Sequence, residues 1–184
     1  VSYHFGGEAE AMDDNIPYFA FSLGLAVILV YMVMAGLFNS LMTPLVIMFT
    51  LPMALAGGLL ALHWSGETIS LVSMIGIIML TGLMGRNAIL LIDYTNTLRG
   101  RGQERDQAVT EAGTVRLRPV LMTTFATIAG MLPVALRMGR ASELRAPMAI
   151  VVIGGLILST VLTLLVIPAL YTVADDVVKK FYRK

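Results

Sequence analysis

From Asn15 to Gly66, fifty-two consecutive residues, the chain carries no Asp, Glu, Lys or Arg. A bilayer core takes about 20 apolar residues per helix, so this interval alone holds two membrane crossings. The whole chain is 57% hydrophobic and 14% charged, where a soluble domain averages about 25% charged residues. The class is an integral membrane protein, and the fold class is all-α: a polytopic bundle of transmembrane helices.

Five apolar segments define its spans: Tyr18–Leu37, Leu45–Leu62, Ile69–Thr97, Pro119–Leu136 and Pro147–Ala174. Asn15 and Pro17 suit the start of the first helix. Pro52 should kink the second. The domain reading is therefore a five-helix membrane domain over 15–174, preceded by a short polar segment 1–14 and followed by a tail 175–184. The opening "VSYHFGGEAEAMDD" is acidic, has no initiator Met and lacks the basic start of a signal peptide. It reads as the continuation of something longer. The long polar connection 98–118, "LRGRGQERDQAVTEAGTVRLR", separates the third and fourth spans, and Glu104–Gly113 within it could form a short surface helix.

Basic residues set the direction of insertion. The 98–118 loop carries Arg99, Arg101, Arg105, Arg116 and Arg118, and the tail carries Lys179, Lys180, Arg183 and Lys184. Five spans place both on one side. The other side mixes Arg137, Arg140 and Arg145 with Glu8, Glu10, Asp13, Asp14, Glu67 and Glu143. The N-terminus is thus expected outside and the C-terminus in the cytoplasm. Small residues should carry the helix contacts. Gly57 with Ala61, Gly82 with Gly85, and Gly154 or Gly155 are the candidates.

A net charge of +1 and no cysteine give no reason to expect nucleic acid, a disulfide or a thiolate metal site. His4 and His63 are isolated. No grouping of His, Ser, Asp or Glu suggests hydrolysis or metal ligation, so no enzyme, cofactor or metal is expected.

The unusual residues lie inside the spans. Arg86 sits 17 residues after Ile69 and 12 before Leu98, too deep to reach either surface easily. A central arginine costs about 2.5–3.5 kcal/mol on insertion scales, and such residues usually face the bundle interior and a carboxylate. Asp93 is the only acid within a span. It lies seven residues on, about 10 Å along the axis, and its end position also suits a solvated aspartate. Arg86 therefore lacks a good counter-ion in this sequence. On the fourth span, Thr123, Thr124 and Thr127 form a hydroxyl patch. Each could bond its own helix or line a water path near Arg86. Asn87 faces the same choice. Arg116 and Arg118 flank the entry to that span, and Arg118 suits headgroup anchoring.

The stretches "GLMGRNAILLIDYTNTLRGRG", "EAGTVRLRPVLMTTFATIAGMLPVAL" and "GGLILSTVLTLLVIPALY" resemble the C-terminal membrane half of the resistance-nodulation-division (RND) efflux pumps. The likeness is greatest to the hydrophobe/amphiphile drug-efflux branch. "FNSLMTPLVIM" and "ISLVSMIGIIML" fit as well, and "YHFGGEAEAM" resembles the end of the periplasmic porter region. The resemblance covers helices eight to twelve of a twelve-helix plan, in order.

It implies a multi-pass protein of the bacterial inner membrane, working as a homotrimer among membrane lipids with a periplasmic adaptor and an outer-membrane channel. The function it implies is proton antiport driving multidrug efflux. In that family an aspartate pair on the fourth helix carries protons, a lysine on the tenth helix pairs with it, and a threonine and an arginine on the eleventh assist. Arg86 matches the lysine, Asn87 its neighbour, Thr123 the threonine and Arg116 the arginine. Asp93 and Thr124 are secondary candidates. The partner of Arg86 would be the aspartate pair of the N-terminal half. One departure stands out: the guanidinium of Arg86 is a planar fork where lysine carries a compact ammonium. If the position must only present positive charge, Arg86 serves. If it needs compact geometry or deprotonation, coupling is altered. Two other expectations stay open, a non-transporting assembly or scaffold fragment, and a lipid or metal exporter of the same superfamily.

Overall fold

The computed structural model describes residues 8–139 and 142–182. His4 and the "YHFGG" portion of the opening lie outside the described residues. Among those described, every element is helical: α1 (Glu8–Phe38), α2 (Met42–Met48), α3 (Thr50–Trp64), α4 (Leu71–Gly100), α5 (Arg105–Ala135) and α6 (Ser142–Tyr182). Five stretches are long and apolar enough to cross a membrane: Asp14–Phe38, Met42–Trp64, Leu71–Gly100, Arg105–Ala135 and Ser142–Val166.

The second crossing is two helices, α2 and α3, that meet at Phe49. Pro52 explains the break. It has no N–H to give the carbonyl four residues back, and its ring crowds that carbonyl. The carbonyl belongs to Met48, where α2 ends. The Thr50 hydroxyl covers part of the gap by donating to the Ile47 carbonyl at 2.7 Å.

α4 starts at a reciprocal cap. The Ser73 amide donates to the Ser70 hydroxyl at 3.3 Å, and the Ser70 amide donates to the Ser73 hydroxyl at 2.9 Å. Serine fills the place that Glu or Gln takes in the usual box.

The connection between α4 and α5 is shorter than the sequence suggests. The polar run 98–118 is not a loop. α4 continues to Gly100, a turn spans 101–104, and α5 runs from Arg105 through Pro119 and Pro133 to Ala135. Gly102 makes the turn at a φ of +90°, where a side chain would be strained. The expected surface helix Glu104–Gly113 is the first third of α5. Polarity marks where the helix leaves the apolar layer, not where it ends. Ala108 and Ala112 are fully buried and join Leu91, Ile92 and Leu98 in one apolar cluster. The segment 175–182 likewise continues α6.

α6 packs against α2, α3, α4 and α5, and among the described residues α1 packs only against α2 and α4. The second apolar cluster, Ala54, Leu80, Met84, Val152 and Leu156, joins α3, α4 and α6. Close approach rests on glycine. A Cβ at Gly57 would lie 2.6 Å from the Leu158 Cβ, and one at Gly154 would lie 2.2 Å from the Ala61 Cβ. Of the candidate small residues, Gly57 and Ala61 therefore do carry a helix contact, and their partner is Gly154; Gly155 packs against Leu80 of α4. Gly82 carries no close approach, since nothing lies within 4 Å of a Cβ there, and Gly85 meets α1 only loosely, with the Val30 side chain at 4.0 Å.

Arg137 and Glu67 form an ion pair, so the 65–70 link and the end of α5 share one end of the bundle. At the other end Arg105 Nη1 donates to the Thr172 carbonyl at 3.5 Å. This alternation is what five crossings require.

Candidate functional site

Arg86 and Asn87 are neighbours in sequence and diverge in space, because successive residues of a helix point about 100° apart. Arg86 is exposed and Asn87 is 4% exposed. Arg86 edges a shallow apolar groove of about 410 Å³ between α4 and α1, lined also by Val30, Met34, Gly82, Gly85 and Ile89. Gly82 and Gly85 form part of the groove wall. No carboxylate lines the groove. Among the described residues Arg86 has no ion pair or hydrogen bond, and Asp93, exposed on the same helix, is not its partner. The arginine expected to face the bundle interior instead faces out of this five-helix unit.

The threonine pair on α5 divides in the same way. Thr123 is half-buried, and its hydroxyl donates to the Val120 carbonyl at 3.0 Å. Thr127 donates to the Thr123 carbonyl at 2.8 Å. Both follow the self-bonding pattern of helical threonines. Thr124 does not. Its hydroxyl accepts from Asn87 Nδ2 at 3.4 Å and shares a hydrogen bond with the Thr160 hydroxyl at 3.2 Å. On each helix one residue of the pair turns inward, Asn87 or Thr124, while its neighbour stays outside the buried cluster, Arg86 exposed and Thr123 half-buried against its own helix.

Arg116 is half-buried, with its guanidinium carbon 4.6 Å from the centre of the Tyr94 ring. Its Nε is buried without a hydrogen-bond partner. A cation over an aromatic face is held by the ring quadrupole, so Tyr94 fixes the side chain. Arg118 is exposed. Among the described residues no three His, Cys, Asp or Glu side chains gather as a metal site.

Thr160 on α6 and Tyr94 on α4 escaped the sequence reading. A threonine in an apolar helix carries no signal of where its hydroxyl goes, and Tyr94 reads as an ordinary interfacial aromatic. Tyr94 lies 22 residues before Arg116 with a turn between, so helix periodicity alone could not pair them.

A profile of the AcrB/AcrD/AcrF family matches residues 1–175. The chain belongs to that family. It is 40% identical over 185 residues to the swarming motility protein SwrC of Bacillus subtilis (strain 168), covering 100% of this chain and 17% of SwrC. It is also 40% identical over 176 residues to the multidrug resistance protein MdtC of Pectobacterium carotovorum, covering 95% of this chain and 17% of MdtC. Among solved structures it is similar to a heavy metal efflux pump, with a TM-score of 0.83 and 36% identity over 96% of this chain and 18% of the pump. The sequence therefore spans about a sixth of the length of these relatives. RND membership places the five helices in the bacterial inner membrane.

Proposed function

We propose that this chain is the C-terminal membrane portion of a proton-driven efflux pump for amphiphilic compounds. One observation carries the proposal: Arg86, at mid-helix on α4, points out of the bundle beside an apolar groove with no counter-ion among the described residues. An unpaired charge at that depth is costly. A carboxylate pair on a further set of helices, packed on the α1–α4 face, would relieve it.

In this reading, a proton arriving on the carboxylates removes their attraction for Arg86. The face then separates or repacks, and on proton release it closes again. Thr123 assists near the same depth and Arg116, held over Tyr94, assists about two turns further along α5, while Asn87 and Thr124 support the site from inside. The N-terminus of α1 lies on the periplasmic side and the C-terminus of α6 in the cytoplasm, as the distribution of basic residues supports. The working unit is a trimer with a periplasmic adaptor and an outer-membrane channel.

A second reading, heavy-metal export, is favoured by the likeness to the heavy metal pump. Loading vesicles of the full-length pump with an amphiphilic dye or with a divalent metal separates the two substrates. The coupling proposal is tested by replacing Arg86. Arg86→Ala should abolish proton-coupled export at unchanged assembly, and Arg86→Lys should retain it. Normal export by Arg86→Ala at equal expression would sink the proposal.

A further inference from the structure

Eight threonine hydroxyls in this protein bond to their own helix. Thr81, Thr95, Thr97, Thr110, Thr114 and Thr127 each donate to the carbonyl four residues back at 2.8–3.0 Å. Thr50 and Thr123 donate to the carbonyl three back. That is the default, because it satisfies the hydroxyl at no expense in tertiary packing.

Three buried threonines depart from it. Thr124 and Thr160 turn toward each other across α5 and α6. Thr163, one turn beyond Thr160, is 1% exposed and its hydroxyl has no partner. Asn87 completes the group from α4. One amide atom reaches Thr124, and the other, Oδ1, is buried without a partner. Exposure is 4% for Asn87, 7% for Thr124 and 3% for Thr160. Three polar side chains from three helices thus meet in the interior, with Thr163 buried one turn further along α6, and the Asn87 Oδ1 and the Thr163 hydroxyl are left unsatisfied.

A buried network kept only for architecture is expected to satisfy its members. An unsatisfied acceptor in the cluster, and an unsatisfied hydroxyl one helical turn along α6 from it, are what internal water, with its two to four hydrogen bonds, would serve. The cluster also abuts the face assigned to coupling, since Asn87 adjoins Arg86 and Thr124 adjoins Thr123 along their helices.

We infer that Thr160 and Thr163 of α6 form the third wall of a hydrated polar relay with Asn87 and Thr124, and that α6 takes part in proton coupling through them. Thr160 is a positioning residue: it holds Thr124, which in turn orients the Asn87 amide behind Arg86. The inference rests on the proton-coupling reading above.

The test uses the full-length pump in proteoliposomes, reading substrate-dependent proton flux with an entrapped pH dye. Valine keeps the shape of threonine and loses the hydroxyl, whereas serine keeps the hydroxyl and loses the methyl. The relay predicts that Thr160→Val and Thr163→Val lose about tenfold in flux, within the usual range of coupling between sites, while Thr160→Ser stays near the parent. A packing role predicts the reverse order at position 160 and overturns the inference. Thermal unfolding of the purified variants supplies an independent reading at 163. If that hydroxyl is simply dry and unpaired, Thr163→Val is more stable than the parent and transports normally, which also overturns it. Arg86→Ala runs alongside. If it abolishes flux while the α6 variants transport like the parent, only this inference fails. If Arg86→Ala itself keeps normal flux, the coupling reading fails first.

Discussion

The contact of α3 with α6 depends on the missing side chain at Gly154, and Gly154→Ala measures how much. The new methyl would sit 2.2 Å from the Ala61 Cβ and 2.7 Å from the Gly57 carbonyl oxygen. Neither obstacle can swing away, since one is backbone and the other is bonded directly to it. Carbon atoms prefer separations of about 3.5–4.0 Å, so the helices must part by about 1.5 Å. A gap of even about 1 Å forfeits up to half of each dispersion contact along the seam. Overpacking typically costs about 1–3 kcal/mol, and rigid obstacles put this site near the top of that range. Alanine also gains about 1 kcal/mol over glycine in helix propensity, which must be subtracted. Gly24→Ala on α1 is the reference, because nothing lies within 4 Å of its Cβ. The difference between the two alanines isolates the packing cost, expected at about 3 kcal/mol, or roughly a hundredfold in an equilibrium constant. Equilibrium unfolding of the purified full-length pump in mixed detergent would read it. Equal shifts for the two alanines would refute the claim that Gly154 sets the α3–α6 distance.

Two further predictions concern α4. Ser70→Ala removes half of the reciprocal cap and should lower stability by about 1 kcal/mol, with Ser73→Ala similar and the double variant less than additive, as the same unfolding measurement would show. Tyr94→Leu should free Arg116, whereas Tyr94→Phe should hold it. A double-mutant cycle with Arg116→Leu is expected to give a coupling of about 1 kcal/mol for the tyrosine, and a coupling near zero would remove Tyr94 as its anchor.

The spans were legible because composition and length decide them. The uncharged run before Glu67 leaves no other structure for a membrane to accept. Pro52 announced a disturbance, and its place at Phe49 follows from which carbonyl the proline deprives. The 98–118 segment resembles a loop in sequence because polarity alone does not separate the end of a helix from its exit out of the apolar layer. Buried alanines at 108 and 112 keep that stretch helical outside the apolar layer, and two alanines among charges are a weak signal. For the site, the sequence exposed what is rare: a deep arginine with no acid in reach. It could not show that the inward partner of Asn87 is Thr124 rather than Thr123. That choice turns on one residue of helical phase, about 100°, set by how α5 rotates against α4 and α6.

The length of α5 has a mechanical side. Its 31 residues make a rod of about 46 Å, and the hydrocarbon layer is about 30 Å deep. The helix is therefore longer than the lipid is deep, with Thr124 in its inner half and Arg105 at its polar tip. Those two residues are about 28 Å apart along the axis, so a tilt of about 5° at Thr124 would swing the tip by about 2.5 Å. The turn at 101–104 ties that tip to the end of α4, and the bond from Arg105 to the Thr172 carbonyl ties it to α6. A displacement too small to open a gap between packed helices would be delivered, enlarged, to the ends of all three.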